Sequence, residues 1–216
     1  MSSTFKSLVR RLTMSSSERI RCEWVDAGKP LPPPHEIKQS ILKDYAARFG
    51  LGTLVETGTF KGDMVFALRK SFQNIYSIEL GQELFEQAKK RFASMNHVTI
   101  LQGDSGEVLE KVLREINTPT LFWLDGHYSS GITARGDLDT PIVQELAHVA
   151  RHPLREKHVL LVDDARCFVG KNNYPTLAGL QELCRKQGFS QFEVQDDIIR
   201  IHSWGEPVEK DLSRGL

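Results

Sequence analysis

The chain is 216 residues long and 24.5 kDa, enough for one domain with a substantial buried core. Lysine plus arginine number 28 and aspartate plus glutamate also 28, a zero formal charge that speaks against a surface devoted to nucleic acid, and no apolar run reaches the roughly 18 residues a transmembrane helix needs. Three cysteines, Cys22, Cys167 and Cys184, lack metal-ligand spacing and read as reduced thiols of a cytoplasmic protein rather than a disulfide framework.

Residues 1–17 hold six serines, Lys6, Arg10 and Arg11, and no acid. Phe5, Leu8, Val9 and Leu12 fall at the spacing of a short basic amphipathic helix. The plain reading is a mobile or domain-packed arm. A transit peptide, a membrane- or partner-docking segment, and a homodimer contact fit the same pattern. Pro32-Pro33-Pro34 closes this arm and linker, residues 1–34, and a single domain is expected over residues 35–216.

Apolar spacing predicts a helix over His35–Phe49 ended by Gly50, a strand over Leu51–Glu56, and a helix over Lys61–Phe72. There follow a strand Ile75–Glu79, a helix Gln82–Phe92, a strand Val98–Leu101, a helix near Glu107–Ile116 and a strand Thr120–Leu124. A long polar loop leads to a helix Pro141–Ala150, a strand Val159–Val162 and a helix Leu177–Lys186. Two closing strands, Gln191–Val194 and Ile198–His202, are separated by Gln195-Asp196-Asp197. This alternation implies an α/β fold, a doubly wound, mostly parallel seven-stranded sheet with one antiparallel edge strand. Ligands of such sheets bind beyond the carboxyl ends of the strands. Trp123 reads as core, and His97, His148, His152 and His158 as ordinary surface or strand-end residues.

The first strand ends Val55-Glu56-Thr57-Gly58-Thr59-Phe60-Lys61-Gly62. Glycine at a strand-to-helix turn lets backbone approach a ligand, and Glu-x-Gly-x-x-x-Gly differs from the dinucleotide pattern, which disfavours a nicotinamide cofactor. Glu79, about twenty residues on, is placed to accept both hydroxyls of a ribose, and after the third strand Asp104-Ser105 could read an adenine edge. Taken singly, a glycine turn is only a turn and an acid only a helix cap; in this order they describe an adenosine pocket with no phosphate requirement.

From Glu36 to the C-terminus the chain resembles the class I S-adenosylmethionine-dependent methyltransferases. Its Glu-x-Gly-x-Phe-x-Gly turn is similar to that of the cation-dependent O-methyltransferases of the catechol branch. The resemblance implies that Glu56, Gly58 and Gly62 serve the cofactor turn, with Glu56 and Gly58 facing the methionine end, that Glu79 holds the ribose, and that Asp104 and Ser105 contact adenine. Asp63 is left without a role.

Asp125 follows the fourth strand and Asp163-Asp164 the fifth. Neighbouring strands lie about 4.8 Å apart, so three carboxylates converge and repel unless a cation neutralises them. Oxygen-only ligands suit Mg²⁺ or Mn²⁺, and in the resembled family the matching positions bind the divalent ion. The plainer reading has Asp163 and Asp164 capping a helix while Asp125 pairs with Arg166. A metal lowers the pKa of a bound acceptor oxygen, and His127 could take its proton or merely orient an aspartate. Catechol-type enzymes carry a lysine where this chain has Tyr128; macrocin-type sugar O-methyltransferases have Asp-Gly-Asp, whose second acid aligns with His127. That departure weakens a catechol reading. Tyr128 lines the acceptor or packs, and the polar stretch 129–140, with Arg135, Asp137 and Asp139, closes over the acceptor or is a solvated loop. Arg166 and Tyr174 are placed on the acceptor side.

The expected activity is therefore a Mg²⁺-assisted, S-adenosylmethionine-dependent O-methyltransferase for a small hydroxylated acceptor, a sugar or natural product. A metal-independent small-molecule methyltransferase, a non-catalytic S-adenosylmethionine-binding protein and a metal-dependent hydrolase are the alternatives.

Overall fold

The computed structural model describes residues 14–126 and 140–204. The Phe5–Leu12 stripe, His127, Tyr128, Arg135, Asp137 and Asp139 lie outside them. Among the described residues no helix is long and apolar enough to cross a membrane.

Seven strands form one sheet: β1 (Thr53–Thr57), β2 (Asn74–Glu79), β3 (Val98–Gln102), β4 (Thr120–Leu124), β5 (Val159–Val162), β6 (Gln191–Gln195) and β7 (Ile198–His202). Their order is β3-β2-β1-β4-β5-β7-β6. The first five run parallel, and β7 lies antiparallel to both β5 and β6, one place in from the sheet edge. Among the described residues seven helices pack on it: α1 (Ser16–Asp26), α2 (His35–Phe49), α3 (Asp63–Leu68), α4 (Gln82–Arg91), α5 (Ser105–Glu115), α6 (Ile142–Arg151) and α7 (Leu177–Lys186).

Strand periodicity explains the two layers. Leu121 and Trp123 of β4 join the apolar cluster built with α1 to α4, whereas Phe122 and Leu124 join the one built with α5 to α7. Trp123 is thus core. Helix ends follow local chemistry. Gly50 takes the left-handed conformation that stops α2, and Asp104 and Thr176 accept backbone N–H groups at the starts of α5 and α7. Helix α1 had no counterpart among the expected elements. Its signal is a capping box, Ser15 with Glu18, in which each side chain takes the other's backbone N–H. Trp24 of α1 is buried in the same cluster as α2 and donates its indole N–H to the Pro30 carbonyl at 2.9 Å.

Strand order reverses between β1 and β4, which opens a crevice at their carboxyl ends. There the chains nearly touch: the Asp125 N–H bonds the Thr57 carbonyl at 3.1 Å, and a Cβ on Gly58, whose φ is +85°, would lie 2.5 Å from the Asp125 carbonyl oxygen. Gly58→Ala adds left-handed strain to this clash and should lower stability by about 3 kcal/mol, measured by urea unfolding.

At the opposite end of the sheet the histidines depart from the expectation of ordinary surface or strand-end residues. His158 is fully buried, and its Nδ1 accepts the Thr120 N–H at 3.2 Å. Its Nε2 lies 2.8 Å from His152 Nδ1, which accepts the Leu154 N–H, so the proton in this pair belongs to His158. Burial, then the neighbouring His152, depresses His158 from its ordinary value to about 3. The unfolded chain therefore takes up this proton below about pH 6.5 while the folded chain does not, and stability is lost as pH falls. Between pH 7 and pH 5 the stability advantage of wild type over His158→Gln should shrink by about 2 kcal/mol, read from urea titrations at each pH.

Candidate active site

Each buried acid at the carboxyl end of the sheet is held by a different device. Glu56 on β1 is 1% exposed and receives the Ser77 hydroxyl from β2. Burial raises its carboxyl to about 8, with Asp125 and Glu79 adding repulsion against the Ser77 hydrogen bond. Thr59 and Ser77 share a hydroxyl contact of 2.6 Å that fixes the turn after β1 to β2. Glu79 ends β2, and its two oxygens accept the backbone N–H groups of Phe60 at 2.7 Å and Gly81 at 2.8 Å. A carboxylate has about four acceptor positions, so two remain for a ligand. Gly62 has a φ of +76° and turns the chain into α3, with Phe92 packed where a side chain would stand.

Asp104 and Ser105 follow β3. The Asp104 carboxylate caps α5 through the Gly106 N–H at 2.8 Å, and the Ser105 hydroxyl points inward to Glu145 at 2.7 Å. Sequence reasoning missed Glu145. It sits on α6 amid Ile142, Leu146 and Val149, an acid on the apolar face of an amphipathic helix, and that misplaced charge was the available signal. Burial lifts its carboxyl to about 7 against hydrogen bonds from Ser105 and Thr57. Glu145 thereby ties α5 and α6 to the end of β1. Beside it Gly126 leaves no spare room, since a Cβ would lie 3.0 Å from the Thr57 hydroxyl.

Asp163 and Asp164 follow β5, and Asp125 is close enough to influence both Asp163 and Lys38 electrostatically. Arg166 does not pair with Asp125 as the plainer sequence reading had it. Its guanidinium bonds Asp164 at 2.7 Å and also Asp197, from the turn between β6 and β7. Asp197 in turn accepts the Arg166 backbone N–H at 2.9 Å. Asp163 Oδ1 accepts the Asp164 N–H at 2.8 Å, and its Oδ2 accepts from Lys38 of α2. Burial of Asp163, reinforced by Asp125 and opposed by Lys38, raises its carboxyl well above the usual range. Burial alone would lower Lys38; Asp163, with Asp125 and Asp164, outweighs it and holds the ammonium firmly charged.

This bears directly on the expected Mg²⁺ or Mn²⁺. Among the described residues no group of three histidine, cysteine, aspartate or glutamate side chains is arranged to hold a metal ion. Both Asp163 oxygens are committed, and the Lys38 ammonium stands 3.7 Å from Asp164 Oδ1. A divalent ion about 4 Å from that ammonium would meet repulsion of ~8 kcal/mol at an effective dielectric of about 20. The described residues do not fit a divalent ion in this arrangement.

Between β4, β5 and α6 lies a small recess of about 10 Å³, room for little more than one water molecule, whose lining includes Gly126, Thr140, Glu145, Asp163, Phe168 and Tyr174. Tyr174 stands edge-on to Phe168, ring centres 5.1 Å apart, so one wall is aromatic. Tyr174 thus borders the space beside Asp163, while Arg166 is engaged by two acids. The structure brings Glu56, Gly58, Glu79, Asp104, Ser105, Asp125, Asp163 and Asp164 to one end of the sheet.

No family model matches the chain, and no curated protein matches it. Solved structures do resemble it. An O-methyltransferase from Bacillus cereus in complex with S-adenosylhomocysteine aligns at a TM-score of 0.59 and 14% identity, over 91% of this chain and 96% of that one. An S-adenosylhomocysteine-bound methyltransferase from Podospora anserina gives 0.56 and 13%, over 94% and 96%. An O-methyltransferase of tomaymycin synthesis from Streptomyces achromogenes, in complex with S-adenosylmethionine, gives 0.54 and 17%, over 88% and 89%. The likeness over most of each chain shows that this chain has the fold of these methyltransferases.

Proposed function

We propose that the chain is an S-adenosylmethionine-dependent methyltransferase acting on a hydroxyl of a small polar acceptor. The observation that carries the reading is the carboxyl ends of β1 and β2, where the tight Gly58 turn lies beside buried Glu56 and Glu79 keeps two acceptor positions. In this reading Glu79 accepts the ribose hydroxyls and Glu56 faces the methionine end; Asp104 and Ser105 border the adenine. The bound donor supplies a methyl group on a sulfonium sulfur. The neighbours' bound ligands, together with the Glu-x-Gly turn, support this assignment. A hydrolase has no use for the Glu79 and Gly58 arrangement.

The acceptor side in this proposal is the surface around Asp163, where Phe168 and Tyr174 stand edge-on and the hydroxyls of Thr140 and Tyr174 suit a compact hydroxylated molecule, such as a sugar or natural product. In this proposal Asp125, its backbone fixed to Thr57, borders both donor and acceptor, and His127, two residues on in the sequence, takes the acceptor proton.

Calorimetric titration with S-adenosylhomocysteine should give a micromolar Kd, weakened about 100-fold in Glu79→Ala by loss of two charge-assisted hydrogen bonds. Unchanged affinity in the variant removes the ribose assignment. Because Glu56 is neutral below about pH 8, the preference for cationic S-adenosylmethionine over neutral-sulfur S-adenosylhomocysteine should grow as pH rises through 8. A flat ratio from pH 6.5 to 9 would place Glu56 away from the sulfonium. His127→Ala should cut kcat by about 10²-fold or more with donor affinity intact; equal loss of both argues for a role in folding the site.

A further inference from the structure

Lys38 entered none of the expectations for the site. It sits in the first turn of α2, four residues before Leu42 and eleven before Phe49, so it flanks the apolar stripe that packs the helix on the sheet. That packing delivers its side chain, only 13% exposed, to the carboxyl ends of β4 and β5. Its ammonium donates to Asp163 and lies 3.7 Å from Asp164 Oδ1, while Asp125 raises its proton affinity from the third side. Arg166 pairs with the same Asp164 oxygen at 2.7 Å and is itself anchored by Asp197. An alternating chain of acid and base therefore runs from the β6–β7 turn to α2, and both oxygens of Asp163 and of Asp197 are met by donors belonging to the protein.

We infer that Lys38 is the built-in cation of this acid cluster, standing in the position that a divalent ion would need and making the centre independent of added metal. The inference rests on the methyltransferase reading only for its consequence, that the acceptor oxygen is oriented next to an ammonium and not by a metal. A fixed ammonium supplies one positive charge and up to three hydrogen-bond donors, which suffices to hold Asp163 and to stabilise an acceptor oxygen as it loses its proton. It cannot hold two acceptor hydroxyls as ligands, so the acceptor needs only one hydroxyl at this point, where a chelating vicinal pair would be the requirement of a metal centre.

The test is Mn²⁺ binding to the whole protein, by calorimetry and by the unfolding midpoint with Mn²⁺ or EDTA. Wild type should show Mn²⁺ affinity no tighter than millimolar and no shift with EDTA. Lys38→Ala opens the acid cluster and should bind Mn²⁺ at least tenfold more tightly, with a midpoint that Mn²⁺ raises. Lys38→Arg keeps the cation and should bind no better than wild type, and the pair Lys38→Ala with Asp163→Asn should lose the gain. If Lys38→Ala does not fold without metal, refolding it in Mn²⁺ but not in EDTA gives the same support. Micromolar Mn²⁺ binding by wild type, or no gain in Lys38→Ala, overturns the inference. Neither result touches the methyltransferase reading, which stands or falls on donor binding and on Glu79→Ala.

Discussion

Buried carboxyl groups are expensive, and this sheet gathers Glu56, Glu79, Glu145, Asp163 and Asp164 at one end with little water around them. The arrangement of the whole site follows from how each is made tolerable. Glu56 and Glu145 lean on serine and threonine hydroxyls, and burial still raises both carboxyls, because hydroxyls offset desolvation only in part. Glu79 takes two backbone N–H groups from the turns after β1 and β2. Asp163 and Asp164 take side-chain cations from α2 and from the loop after β5.

These solutions need rigid surroundings, and the fold supplies them. The turn after β1 is pinned by hydrogen bonds from Gly58 and Thr59 to the Ile78 carbonyl and by the Thr59–Ser77 hydroxyl pair. Glu145 joins the starts of α5 and α6 to Thr57, so a shift of either helix would strand an acid in apolar surroundings. Asp197 gives its carbonyl to Ala165 and its carboxylate to Arg166, which makes the β6–β7 turn a clamp on the loop carrying Asp164, itself at a φ of +56°. Such a conformation in a non-glycine residue persists where neighbours over-determine it.

The fold was legible in the sequence because the strands carry strong signals. Thr120–Leu124, Val159–Val162 and Ile198–His202 are apolar and buried, and α2 and α7 announce their ends with glycine or threonine caps. The expected helix Lys61–Phe72 contracts to Asp63–Leu68, since Gly62 and the turn before it are spent on the approach to β2. The acids at the strand ends were legible as well, being adjacent in sequence to the strands. Their partners were not. Lys38 lies 125 positions from Asp163, and Asp197 lies 31 from Arg166. Nothing local marks such pairs, and the three-aspartate convergence was read with a metal because the cation that serves it comes from a distant helix.

The two halves of the site therefore handle charge in opposite ways. On the β1–β2 side the acids are protonated or partly satisfied, so an arriving cation can be met by releasing a proton from Glu56 at modest cost. On the β4–β5 side Asp163 and Asp164 are already balanced by Lys38 and Arg166. In the proposed reaction the negative character near Glu56 favours binding of a cationic donor rather than its loss of charge, whereas an ammonium beside the acceptor favours the oxygen's loss of its proton. Water in either half would screen that contrast, which is why the burial of the acids, costly to stability, serves the proposed chemistry.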